Sequence, residues 1–141
     1  MTQPILCAVD VSNTGHDVTV LKKAANLAKI EGVPLDVITV MPDFGMSVVS
    51  GFFDKGFGDK AQSEAKKKLD ELVEDTLGKD ANVRAVVATG SAYEEILRAA
   101  KLDDASLIVI GAHKPDYKDY LLGPNAARVV RHANCSVWVV R

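Results

Sequence analysis

The sequence predicts a single α/β domain spanning residues 1–141, a doubly wound sheet of five parallel strands with helices on both faces. Three observations predict it. Five short apolar runs recur along the chain: Ile5–Val9, Leu35–Val40, Val83–Ala88, Leu107–Ile110 and Val137–Val140. Several are continuous rather than alternating, the pattern of strands covered on both faces. Between the runs lie four stretches with helical spacing of apolar residues. Strand and helix therefore alternate, and right-handed crossovers stack them as a three-layer, Rossmann-like parallel sheet.

The elements follow in order. The first run ends at Asp10. The first helix is expected from about Asp17 to Glu31, with Val18, Leu21, Ala25 and Ala28 on one face, and Gly32 and Pro34 end it. The second is expected from about Lys60 to Leu77, burying Ala61, Ala65, Leu69, Leu72 and Val73. Lys66, Lys67 and Lys68 fall outside that stripe or at its edge and read as a solvated surface. Gly78 is placed as the C-cap. The third helix begins after Gly90, where Ser91 and Glu94 have capping-box spacing. Its apolar face is Tyr93, Ile96, Leu97 and Ala100. The fourth follows Gly123, with Pro124 at the first helical position, where a missing N–H costs little. Ala126, Ala127, Val129 and Val130 supply its buried side. One segment breaks the rhythm. Residues 42–60 are rich in glycine and carry Phe44, Phe52, Phe53 and Phe57. A connection this long is uncommon unless it is functional or disordered.

Composition narrows the function classes. The chain is long enough to bury a real core, and its 48% apolar and 26% charged residues suit a soluble globular protein. A net charge of −2 favours neither nucleic acid nor an anionic membrane as partner. No apolar run approaches membrane-spanning length, and Ile5–Val9 is too short for a signal-peptide core. A cytoplasmic location is the expectation. Cys7 and Cys135 form no CxxC motif and are expected as small buried hydrophobes at strand positions.

The most informative stretch is Leu107–Arg141. An apolar run ends at Gly111, a polar loop follows, and Gly123-Pro124-Asn125 opens a helix. Glycine lets backbone approach a phosphate closely, and the free N–H groups of a first helical turn point at it. Turn glycines alone explain Gly111 and Gly123 equally well. The strand order 3-2-1-4-5 is one doubly wound solution. In it, the ligand crevice lies beyond the C-terminal strand ends at the switch point between strands one and four. That places Asp10 and Ser12 beside Gly111. Asp10 there either accepts hydrogen bonds from a ribose and helps to hold a metal, or is a turn carboxylate.

These residues resemble the universal stress protein family, small α/β proteins that often bind ATP. The family motif reads glycine, two residues, glycine, nine residues, glycine, then Ser or Thr. Gly111 and Gly123 fit its outer glycines. The Leu-Leu-Gly before the last helix, the run Val-Val-Arg-His-Ala-x-Cys, and the opening Ile-Leu-Cys-Ala-Val-Asp-Val-Ser fit as well. The middle glycine slot holds Lys114 or, counted from the other end, His113. The Ser/Thr slot holds Pro124. This shortened loop resembles the F/G-type branch of the family.

The resemblance favours the 3-2-1-4-5 order and implies ATP, or AMP or ADP, as ligand, with Mg carried on the phosphates beside Asp10. It implies that adenine lies near Ala8–Val9 and against Val40, whose main chain reads the base edge. It also implies that backbone around Gly111 and Gly123–Ala126 holds the phosphates, that Asn125 partly replaces the missing hydroxyl, and that Lys114 meets a phosphate as a point charge. His113 lies in the same loop. The family often dimerises through the C-terminal strand, which implies a homodimer with Trp138 in the pairing region. His16, His113 and His132 lack metal-ligand spacing. No nucleophile–base pair is evident, so efficient catalysis is not expected. A slow ATPase or autokinase would need a metal and a positioned water or hydroxyl, neither of which the sequence assigns. The resulting expectation is an ATP-binding stress-response regulator. The alternative is a nucleotide-independent interaction protein that keeps the fold without the site.

Overall fold

The structure, a computed structural model, describes residues 3–11, 14–42, 55–112 and 123–141. Among the described residues nine elements alternate: β1 (Ile5–Ala8), α1 (Thr14–Glu31), β2 (Leu35–Met41), α2 (Lys55–Leu77), β3 (Val83–Thr89), α3 (Ala92–Asp103), β4 (Leu107–Gly111), α4 (Gly123–His132) and β5 (Ser136–Val140). The strands form one parallel sheet in the order β3-β2-β1-β4-β5. The expected fold and order are therefore observed.

Two cores flank the sheet. On one face, Ile5, Cys7, Val9, Val37, Val109 and Val140 meet α1 and α2 through Val20, Leu21, Ala24, Leu69 and Leu72. On the other, Leu6, Ala8, Ile38, Ile108 and Ile110 meet α3 and α4 through Ile96, Ala100, Ala126 and Val129. Side chains alternate between the faces along every strand, so β1 and β4 are apolar at each position, while β2 buries Asp36 and Thr39 among its apolar residues. The change of helix side falls between β1 and β4.

Several local expectations shift. The buried stripe of α1 is centred on Val20, Leu21, Ala24 and Ala28, with Val18 and Ala25 only partly buried. It begins one turn early, at the buried carboxyl group of Asp17. Val130 of α4 is exposed because the helix turns Ala126 and Val129 to the sheet instead. Pro124 is the second residue of α4, still within the first turn, where an N–H has no intrahelical acceptor and its absence costs little. Ser91 has extended backbone but makes no side-chain cap bond, so the capping box does not form. Cys135 is half-buried just ahead of β5, whereas Cys7 is fully buried in β1 as expected; both are free thiols. Lys66, Lys67 and Lys68 are exposed, with Lys66 paired to Asp70.

The helix ends facing the strand starts are closed by backbone. After α1, Gly32 has φ +68, Val33 N–H reaches Ala28 O at 3.0 Å and Gly32 N–H reaches Lys29 O at 3.3 Å. After α3 the same pair of bonds forms with Asp104 at φ 53 in the glycine-like position. Gly78 ends α2 with φ 95, as expected of its C-cap.

Candidate functional site

Strand lengths create the candidate crevice. β1 stops at Ala8, paired with Ile38 and Ile110, while β2 runs on to Met41 and β4 to Gly111. The middle of the sheet is therefore notched at its C-terminal end, at the switch point where doubly wound folds take ligands. Each connecting helix runs back against the strands, so α4 begins at this end.

Backbone direction gives the notch its polarity. In a parallel strand, both peptide groups of one residue face the same neighbour, and the side alternates residue by residue. Ile38 O accepts Val9 N–H at 2.9 Å, so Ile38 faces β1. Met41 O accepts Gly90 N–H at 2.9 Å, so Met41 faces the β3 side. Val40 shares the parity of Ile38, and its peptide groups aim past the end of β1, into the notch. Its side chain packs with Ala8 and Ala126 in one apolar cluster.

The sequence-predicted residues divide by what they offer. Ala8, Val9 and Ala126 bury their side chains, leaving their main chains for any ligand. Asp10 and Asn125 are exposed. In the first turn of α4, N–H groups come from Gly123, Asn125 and Ala126 but not Pro124. Ser12, His113 and Lys114 lie outside the described residues, as do residues 43–54 of the long connection. Among the described residues, no group of three or more His, Cys, Asp or Glu gathers as a metal site.

Gly111 has a packing reason for its size. A Cβ there would lie 2.9 Å from Val20 Cγ2 and 3.0 Å from His16 Cδ2, so any side chain would push against α1. Two further residues shape the site. The Asp17 carboxylate, buried in the first turn of α1, accepts the backbone N–H of Asp10. Beside it, His16 Nε2 lies 3.2 Å from Val140 O, the carbonyl that also accepts Ala112 N–H at 2.8 Å. The sequence did carry a signal for Asp17, an acid three and four residues ahead of Val20 and Leu21 on the apolar stripe. Nothing comparable marked His16. Burial, with Asp17 nearby, pushes the Cys7 thiol far above its ordinary range, so Cys7 is an inert core residue.

Comparison with known proteins agrees with this architecture. A sequence model of the Universal stress protein family matches residues 1–141. The chain belongs to the universal stress protein family. It is 30% identical to Universal stress protein G of Shigella flexneri, covering 100% of both chains. Among solved structures, it is similar to a universal stress protein from Archaeoglobus fulgidus, 27% identical, with a TM-score of 0.77 and 100% of each chain covered. A structure of the universal stress protein from the same organism in complex with dAMP is 26% identical, with a TM-score of 0.73 and coverage of 99% and 98%. No helix among the described residues is long and apolar enough to cross a membrane.

Proposed function

We propose that this chain binds an adenine nucleotide, ATP or its AMP and ADP relatives, at the notch over β1 and acts in the cytoplasm as a stress-response regulator. The observation that carries the reading is the truncation of β1 beside Val40, whose peptide groups face the gap with the N-terminus of α4 at the same end of the sheet. Base, ribose and phosphates would lie against Val40, Asp10 and the turn formed by Gly111 and Gly123–Ala126. Lys114, outside the described residues, would meet a phosphate, His113 beside it would touch the ligand, and Mg would ride on the phosphates beside Asp10. The related Archaeoglobus protein was captured with dAMP, which supports a nucleotide of this class. Occupancy regulates only if it favours one arrangement of the chain over another.

Two observations favour a second reading, an interaction protein that needs no nucleotide. Val20 and His16 already account for the size of Gly111, and Pro124 removes an N–H from the first turn of α4. Thermal melts separate the readings. ATP at ~100 times its dissociation constant should stabilise the native chain by about 2.7 kcal/mol, and GTP by less. No shift with millimolar ATP and magnesium, and no nucleotide released on denaturing the purified protein, would leave the second reading standing.

For assembly, the proposal is a homodimer through β5. This edge strand leaves Trp138 36% exposed, and an apolar, β-prone edge is a liability unless paired or covered. Light scattering should give a dimer that Trp138→Glu shifts towards monomer. A monomer at high micromolar concentration before mutation would defeat this.

A further inference from the structure

We propose that His16 and Asp17 are positioning residues that clip together the strand ends around the notch, Asp17 holding the end of β1 and His16 holding the ends of β4 and β5. They are consecutive residues in the first turn of α1, and each reaches a backbone group on a different wall.

The Asp17 side of the clip fixes where β1 gives out. Asp10 N–H is one of the first peptide groups beyond the paired part of β1, and it donates to the buried Asp17 carboxylate. A carboxylate held in place by a backbone donor makes a stronger bond than a neutral acceptor would. The chain therefore leaves β1 in one direction, and that direction sets where the Asp10 side chain emerges.

The His16 side reaches across the switch point. A carbonyl only accepts, so the ring nitrogen facing Val140 O carries the hydrogen, and Nε2 is the donor. Val140 O then serves two donors, the His16 ring and Ala112 N–H. The ring also lies against Gly111, with Cδ2 3.0 Å from where a Cβ would stand. One imidazole thus touches the end of β4 by packing and the end of β5 by hydrogen bonding. Ala112 is the last described residue before His113 and Lys114. β5 is an edge strand, so β4 is its single strand neighbour in the sheet, and His16 gives it a second anchor on α1.

Strand-end geometry decides whether the main chains of Val9, Val40 and Ala112 converge on a ligand. The clip fixes that geometry before a ligand arrives, which lowers the ordering cost of binding. The effect on nucleotide affinity rests on the nucleotide reading above; the effect on the strand ends does not.

The test uses the full chain, with amide hydrogen exchange at Asp10 and Ala112 as reporters and calorimetric titration with ATP as the second readout. His16→Leu keeps an apolar body of similar size and removes the donor. His16→Gln restores a donor on a flexible arm. The Leu variant should exchange Ala112 N–H about fivefold faster, with core amides such as Val37 unchanged, and should bind ATP about fivefold more weakly, the scale of one net neutral hydrogen bond. Gln should recover most of both. ATP should slow exchange at Ala112 in the unmodified protein and do so less in the Leu variant. On the other arm, Asp17→Ala should speed exchange at Asp10, and Asp17→Asn, which keeps an acceptor, should partly restore it. If Leu at position 16 prevents folding, His16→Ala gives the same comparison without added bulk. Unchanged exchange at Ala112 in both variants that lack the donor overturns the clip. Absence of ATP binding by the unmodified chain overturns the nucleotide reading instead, and exchange at Asp10 and Ala112 still decides the clip.

Discussion

The two ends of the sheet are built on different plans. At the N-terminal end all five strands start level: Ile5 pairs with Leu35 and Leu107, Leu35 with Val83, and Leu107 with Ser136. At the C-terminal end they stop at different heights, with β1 shortest in the middle. At the level end, backbone pairs with backbone beside two surface grooves, one lined by Gly32–Leu35 and Gly78–Val83, the other by Asp104–Ser106 and Ala133–Ser136. Pro34 O takes Ile5 N–H, Pro4 O takes Ser106 N–H, and glycine-like turns fold α1 and α3 back onto their own last carbonyls. There Arg84 pairs with both Asp36 and Asp103. At the staggered end, Asp17 and His16 are spent on backbone groups instead. The difference shows how one parallel sheet separates its tasks. Level strand starts let the chain close on itself, whereas a short central strand leaves main-chain groups facing a gap that a ligand can fill.

Two measurements bear on this contrast. The largest effect on stability is expected at the staggered end, from Gly111→Val. Its Cβ would meet Val20 at 2.9 Å, and the branches add further overlap. Overpacking of this kind costs about 2 kcal/mol. Urea denaturation should show that loss, and an unchanged midpoint would mean that α1 is not seated on β4 as described.

A smaller effect is expected at the level end, and it depends on pH. Burial first, and then the neighbouring Asp103, raise the Asp36 carboxyl to about 6, while Arg84 opposes the rise. Between the ordinary carboxyl range and about 6, the native chain holds a proton that the unfolded chain has released. Protonation therefore stabilises the fold as pH falls through that window, and stability drains as pH rises through it. Arg84→Ala removes the cation facing both carboxylates and should cost about 0.5–1 kcal/mol at neutral pH, because the guanidinium is largely solvated. The cost should shrink as pH falls below about 6. Melts in which Arg84→Ala loses the same amount at both pH extremes would remove the three-residue cluster from the account.

The contrast also explains what the sequence made legible. Apolar runs located every strand to within a residue or so; in β1 and β4 the runs are continuous because both faces are covered, whereas the edge strands β3 and β5 are exposed at alternate positions. Gly32 and Gly78 marked helix ends through a backbone need that only a few residues meet. Asp104 did the same work unannounced, since an aspartate in that conformation looks like any surface acid. The α1 stripe was read one step off, at Val18 and Ala25 rather than Val20 and Ala24, because a helix seated on both a sheet and a second helix has a wide apolar arc. Asp10 and Gly111 were legible as candidates from a strand end and a glycine, whereas Val40 came only from the family resemblance. His16 was not, because its partner is a carbonyl 124 residues away and no local pattern records that pairing.

The most direct test of the central claim, that an adenine nucleotide fills the notch over β1, is an amide chemical-shift map during titration with ATP. The account predicts that the amides of Ala8–Asp10, Val40, Gly111, Ala112 and Asn125–Ala126 respond together with one dissociation constant, while those of Asp36, Arg84 and Asp104 at the level end stay still. Shifts confined to the level end, or none anywhere at millimolar ATP with magnesium, would contradict it.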